Sequence, residues 1–129
     1  MTHSPNILVV EDDPALRSLF AETLAQDGYH VTAVPTAAQA LSCSSDFVFD
    51  IVVVDLSLPD SDGLEFIRHL SAHAPLSKML AMSGYMDERL SRIAMAAGAD
   101  ATLAKPATPR QLRHAVYRLI DPTCAWLGS

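Results

Sequence analysis

At 129 residues the chain has the size of one domain and is long enough for a sizeable core. Half of its residues are hydrophobic and 19% are charged, the balance of a globular protein. The formal charge of −6, from 9 Lys+Arg against 15 Asp+Glu, argues against a nucleic-acid surface, which needs clustered basic residues.

The chain opens with MTHSPNILVV, which has neither the charged start nor the cleavage site of a signal peptide. No apolar run approaches the roughly 20 residues that span a bilayer. A natural N-terminus and a cytoplasmic location without membrane contact are therefore expected. The run Asn6–Val10 is short and continuously apolar, as a strand buried on both faces should be. It ends in Glu11, Asp12 and Asp13, and Pro14 then opens a helix, with Asp13 as its expected N-cap. Leu16, Leu19, Phe20 and Leu24 recur at helical spacing, and Gly28 supplies the stop.

A second strand, about Tyr29–Val34, leads to Thr36, which with Gln39 forms a predicted capping box for an Ala-rich helix. Cys43 and Cys124, only two and far apart, fit reduced thiols better than a disulfide framework. Asp50–Asp55 is the most β-prone segment, yet it stops on a carboxylate. After the loop LSLPDSDG a helix is predicted over about Leu64–Ala72, closed before Pro75. His69 and His73 on it have metal-ligand spacing but no third ligand nearby, and read as a solvated helix end.

Lys78–Met82 is a fourth strand, followed by Ser83 and Gly84. Leu90, Ile93, Ala94 and Ala97 mark a fourth helix that stops at Gly98. Ala101–Ala104 is a short fifth strand ending at Lys105 and Pro106. Thr108, Pro109 and Gln111 make a second capping box. Leu112, Ala115, Val116, Leu119 and Ile120 then give the last helix an apolar stripe, and the tail beyond Asp121 reads as irregular. Five strand-then-helix units favour one compact α/β domain, a parallel sheet with helices on both faces.

The polar residues that interrupt this pattern all follow strands: Glu11 and Asp12 the first, Asp55 the third, Ser83 the fourth, Lys105 the fifth. Open α/β sheets bind ligands outside the carboxyl ends of their strands, where strand order reverses. In the order 2-1-3-4-5, strands one and three are neighbours about 4.8 Å apart, which would set Asp55 beside Glu11 and Asp12. Carboxylates so close repel one another unless a cation neutralises them. Oxygen ligands without nearby His or Cys suit Mg²⁺, which keeps waters that a phosphate can replace. With Lys105 and the Ser83 hydroxyl as flanking donors, the set makes a receptor for a phosphoryl group.

The pieces ILVVEDD, VVVDLSLPDSDGLEFI, AMSG and AKP, in this order, resemble the CheY-like receiver domain of two-component response regulators. The resemblance covers nearly all of the chain, from about Asn6 to Ile120, within one receiver domain over residues 1–129. It implies the flavodoxin-like 2-1-3-4-5 order. By position, Asp55 would be the phosphoacceptor and Glu11 and Asp12 the acidic pair around Mg²⁺, with the backbone carbonyl of Ser57 as a further ligand. Ser83 would be the hydroxyl that senses the phosphoryl group and Lys105 the lysine that binds its oxygens. The implied donor is a phosphohistidine on a sensor histidine kinase or phosphotransfer protein.

Two positions depart from the family pattern. Thr102 stands where an aromatic residue is usual, three before the lysine, and Ala107 where Phe is common. Both put the usual readout through the fourth helix and fifth strand in doubt. That helix, the fifth strand and the fifth helix form the family's default docking face, open to a second copy or to another protein. Three competing readings are a strand-end carboxylate at Asp55 capping its turn through Ser57 or Asp60, a phosphate-independent binding module, and a haloacid-dehalogenase-type phosphatase. The last wants a second acid where Ser57 stands. Asp60, Asp62 and Gly63 read as turn and helix-start residues.

Overall fold

The computed structural model describes residues 4–121, so Cys124 and the tail beyond Asp121 lie outside the described residues. Strands and helices alternate: β1 (Asn6–Val10), α1 (Pro14–Gln26), β2 (His30–Val34), α2 (Ala37–Asp46), β3 (Ile51–Asp55), α3 (Gly63–His73), β4 (Lys78–Ser83), α4 (Glu88–Ala97), β5 (Ala101–Ala104) and α5 (Pro109–Ile120). The boundaries differ from the sequence reading by a residue or so at the ends of β2, β3, β4 and α3. The sheet is parallel throughout with the order β2-β1-β3-β4-β5.

Side chains of a strand alternate between its faces, and here the alternation splits the core in two. Leu8, Val10, Val52, Val54, Met79 and Ala81 pack with Ala40 of α2, Phe66, Ile67 and Leu70 of α3, and Ala94 and Ala97 of α4. Ile7, Val9, Ile51, Val53, Leu80 and Met82 point the other way, onto Phe20 and Leu24 of α1 and Leu112 and Val116 of α5. The continuous apolar runs in β1, β3 and β4 follow from this burial on both faces. Val10 pairs with Val54 across β1 and β3, so the next residues, Glu11 just past β1 and Asp55 at the end of β3, lie side by side on the α1–α5 face.

Caps set the helix starts. Asp13 accepts from the backbone N–H groups of Ala15 and Leu16, and Pro14 follows at the first helical position. Thr108 and Gln111 form the full capping box expected for α5. At α2 only half of the expected box forms. Thr36 accepts from Gln39 N–H, but the Gln39 side-chain oxygen accepts from the Thr36 hydroxyl at 3.3 Å instead of reaching its backbone. The N-terminus of α2 has a different second partner, described below.

Two residues of the predicted stripes face outwards. Leu19 is 40% exposed and Ile93 is 38% exposed. Thr23 is buried on α1, and the small residues Ala94 and Ala97 are the buried positions of α4. At the end of α4, Gly98 has φ 131° and sits so close to α3 that a Cβ there would lie 2.7 Å from the Ser71 Cβ. Small residues allow α3 and α4 this close approach, which a larger inward Ile93 would prevent. Among the described residues, no helix is long and apolar enough to cross a membrane.

Candidate functional site

The carboxyl ends of β1, β3, β4 and β5 converge on one cluster. Each of Glu11, Asp12 and Asp55 offers a carboxylate oxygen, and these atoms all lie within 4.8 Å of one another. Glu11 is 2% and Asp55 4% exposed, whereas Asp12 opens to solvent. From β5 the Lys105 ammonium donates to Glu11 Oε1 at 2.8 Å and to Asp55 Oδ2 at 3.2 Å. Its backbone N–H donates to the Ser83 carbonyl at 2.9 Å, which fixes the lysine to the end of β4.

The remaining hydrogen bonds orient the acids. Asp55 Oδ1 accepts from Ser57 N–H at 2.9 Å and Glu11 Oε2 from Asp13 N–H at 3.2 Å. Ser83 is buried, and its hydroxyl oxygen accepts from Tyr85 N–H at 3.0 Å. Glu11, Asp12, Asp55, Ser83 and Lys105 are thus brought to one end of the sheet, with exposed Ser57 on the adjoining loop.

Burial is the largest influence on Glu11 and, with the charge of Asp55, pushes its carboxyl above the ordinary glutamate value despite hydrogen bonds from Lys105 and Asp13. Burial alone would lower Lys105; the hydrogen bond to Glu11 and the charge of Asp55 outweigh it and hold the ammonium above the ordinary lysine value. One ammonium therefore under-neutralises the acids. Three carboxylates against one ammonium leave two negative charges, which matches a divalent cation. An all-oxygen donor set suits a hard ion such as Mg²⁺.

Two residues enter the picture that the sequence did not single out for these parts. Arg17, on α1, donates from Nη1 to the backbone carbonyls of Glu11 at 3.0 Å and Asp12 at 3.3 Å, bracing the acidic pair from below. Asp60 reaches beyond its own turn. Its two carboxylate oxygens accept from Ala37 N–H at 3.0 Å and Ala38 N–H at 3.1 Å, the open N-terminus of α2. These donors, Ala37 foremost, hold the Asp60 carboxyl below the ordinary aspartate value against the opposing effect of burial. A basic residue one turn after an acidic pair was a readable hint for Arg17; nothing local marks Asp60.

The expected turn and solvent roles of the other residues divide. Asp62 caps α3 through Leu64 N–H at 3.0 Å and Glu65 N–H at 3.4 Å. Gly63 is buried where a Cβ would lie 2.6 Å from the Leu56 Cα, so the start of α3 rests directly on the loop after Asp55. His69 and His73 are exposed and stacked at 4.0 Å, with His73 Nδ1 bonded to the His69 carbonyl, and belong to no metal cluster among the described residues. Thr102, at the position of the missing aromatic, bonds through its hydroxyl to Ser91 of α4 at 2.6 Å. Ala107 packs against the α1–α5 half of the core.

A family model described as the response regulator receiver domain matches residues 7–117. Over 125 residues the chain is 33% identical to the transcriptional regulatory protein AruR of Pseudomonas aeruginosa, covering 93% of this chain and 51% of that one. It thus spans about half the length of that relative. Its fold superposes on a CheY-like receiver domain protein from Methanospirillum hungatei with TM-score 0.87 at 30% identity, covering 93% and 96% of the two chains. A response regulator from Burkholderia pseudomallei, with a phosphorylated aspartic acid, calcium ion and citrate, gives TM-score 0.82 at 27% identity, covering 96% of this chain and 71% of that one. The matched span holds all of the clustered acids and, but for Asn6, the five strands, and the chain belongs to the response regulator receiver domain family.

Proposed function

We propose that the chain is a single receiver domain, with its core over about residues 6–120, that takes a phosphoryl group onto Asp55 and thereby switches its affinity for a partner. The observation that carries this is the meeting of the Glu11, Asp12 and Asp55 oxygens with the Lys105 ammonium at the strand ends. The phosphorylated aspartic acid and calcium ion of the Burkholderia pseudomallei relative support it.

In this reading Glu11, Asp12, Asp55 and the backbone carbonyl of Ser57 hold Mg²⁺. Bound there, the ion supplies charge compensation for the phosphoryl oxygens. An Asp55 carboxylate oxygen attacks the phosphorus of a phosphohistidine in line; an O–P bond forms, the P–N bond breaks and the imidazole leaves with the electron pair. The Lys105 ammonium and the Ser83 hydroxyl donate to the oxygens of the transferring group. Holding the nucleophile in place does most of the work, through Ser57 N–H on Asp55 Oδ1 and Lys105 on Oδ2. Water attack on the acyl phosphate returns the carboxylate, so the chemistry is confined to the chain's own phosphorylation and dephosphorylation.

The partners in this reading are a sensor histidine kinase or phosphotransfer protein upstream and an output protein, or a second copy of the chain, downstream. A cytoplasmic location and Mg²⁺ as the cofactor belong to the same proposal. The test is incubation with acetyl phosphate, with and without Mg²⁺. One phosphoryl group per chain is expected, dependent on the ion, removed by hydroxylamine and absent from Asp55→Asn. A label that survives hydroxylamine, or persists in the variant, overturns the mechanism. Equal partner affinity before and after loading would leave a passive binding module instead.

A further inference from the structure

The loop between Asp55 and α3 carries Ser57, and its position has to be fixed for that residue to serve the centre. Its near end is held: Leu56 N–H donates to the Met82 carbonyl at 2.9 Å, Ser57 N–H to Asp55 at 2.9 Å, and Leu58 is buried. Its far end is held by the Asp62 cap and the tight seat of Gly63 on Leu56. Between them, Asp60 reaches sideways to a helix that is distant in sequence. Both carboxylate oxygens are used, one on Ala37 N–H and one on Ala38 N–H. The negative charge also sits at the positive end of the α2 dipole.

These two hydrogen bonds take the donors of α2 that its own N-cap leaves open. Thr36 already caps the helix through Gln39 N–H at 3.1 Å. Two caps on one helix end, one from the preceding residue and one from another loop, divide the labour. Thr36 serves Gln39 from within the turn, whereas Asp60 meets the first two N–H groups from another loop and so ties that loop to the helix.

Resting on the reading of Asp55 and Ser57 given above, we propose that Asp60 is a positioning residue for the metal centre, its link to α2 fixing the loop that presents Ser57. Residues that orient metal ligands from outside the coordination sphere typically alter affinity by about 10–100-fold when removed. Cutting the link therefore weakens Mg²⁺ binding, while a chain saturated with the ion still phosphorylates at a rate close to that of the wild type.

The experiment compares the full chain, Asp60→Ala, Asp60→Asn and Thr36→Ala, with thermal melts to establish that each is folded. Calorimetric titration with Mg²⁺ alone is paired with acetyl phosphate labelling across a range of Mg²⁺ concentrations. Asp60→Ala is expected to bind the ion about 10-fold more weakly and to need correspondingly more of it for half-maximal labelling. Asp60→Asn keeps one acceptor oxygen and should fall between it and the wild type. Thr36→Ala loosens the same helix end without touching the loop, and should keep wild-type ion affinity. Unchanged affinity in Asp60→Ala, or an equal loss in Thr36→Ala, overturns the positioning role while leaving Asp55 as phosphoacceptor intact. A wild-type chain that takes up neither ion nor phosphoryl group overturns both.

Discussion

Asp55 is 4% exposed and answered by an ammonium; Asp60 is exposed and answered by two backbone N–H groups. The two carboxylates end one strand and cross one loop, yet only the first could be read from the sequence. Asp55, like Glu11, Ser83 and Lys105, interrupts a hydrophobic pattern at a strand end, where burial makes an unpaired polar group costly. Asp60 sits in a loop rich in turn residues, and its partners lie more than twenty positions upstream. A contact of that kind leaves no local trace. Its charge does leave a pH signature. The lowered Asp60 pKa means that the folded chain binds this proton more weakly than the unfolded chain, so its stabilisation is complete above the usual aspartate value of 3.8 and is lost as the pH falls through the lower folded value. Thermal melts of wild type and Asp60→Asn should differ at neutral pH, with the wild type more stable, and the gap should close only below that value. A gap that is flat down to strong acid would show that the ionised form has no part in holding α2.

At the scale of elements, every strand and helix was legible because periodicity and punctuation agree: apolar runs for strands, stripes for helices, and Pro, Gly, Asp or Thr at the joints. The stripes themselves were read too wide. Leu19 and Ile93 continue a 3.6-residue pattern but are more than a third exposed, while Thr23 and the small residues Ala94 and Ala97 take buried positions. How closely helices approach is a tertiary property; Gly98 against Ser71 is what sets it for α3 and α4. The same helix is tied to β5 by the hydroxyls of Ser91 and Thr102. A hydrogen bond in a partly buried setting contributes about 1 kcal/mol. Ser91→Ala and Thr102→Val should each lower stability by about that amount in denaturant melts, and the double variant by less than the sum. Strict additivity would mean that the two hydroxyls do not act on each other. The threonine that departs from the family's aromatic thus has its own task, clasping α4 to β5.

Over the whole molecule, the charge left at the strand ends links ion binding to folding. If the folded chain alone gathers Glu11, Asp12 and Asp55, Mg²⁺ at ten times its dissociation constant stabilises it by about 1.4 kcal/mol. That corresponds to a rise of a few degrees in melting temperature for a domain of this size, absent in Asp12→Asn and unaffected by equal ionic strength from NaCl. A melting temperature that does not move with Mg²⁺ would speak against an ion site at this end. The pairing across the sheet carries a further consequence. Ile51, Val53 and Asp55 of β3 lie on the same side of the sheet as Ile7 and Val9 of β1 and Glu11 just beyond it. One residue added inside β3 would swing Asp55 to the opposite side of the sheet, away from its lysine. Two would bring back the side but push the carboxylate about 6.6 Å farther along. The nucleophile's address is therefore a matter of odd and even counting. Strand length is as much a part of this chemistry as the acid itself.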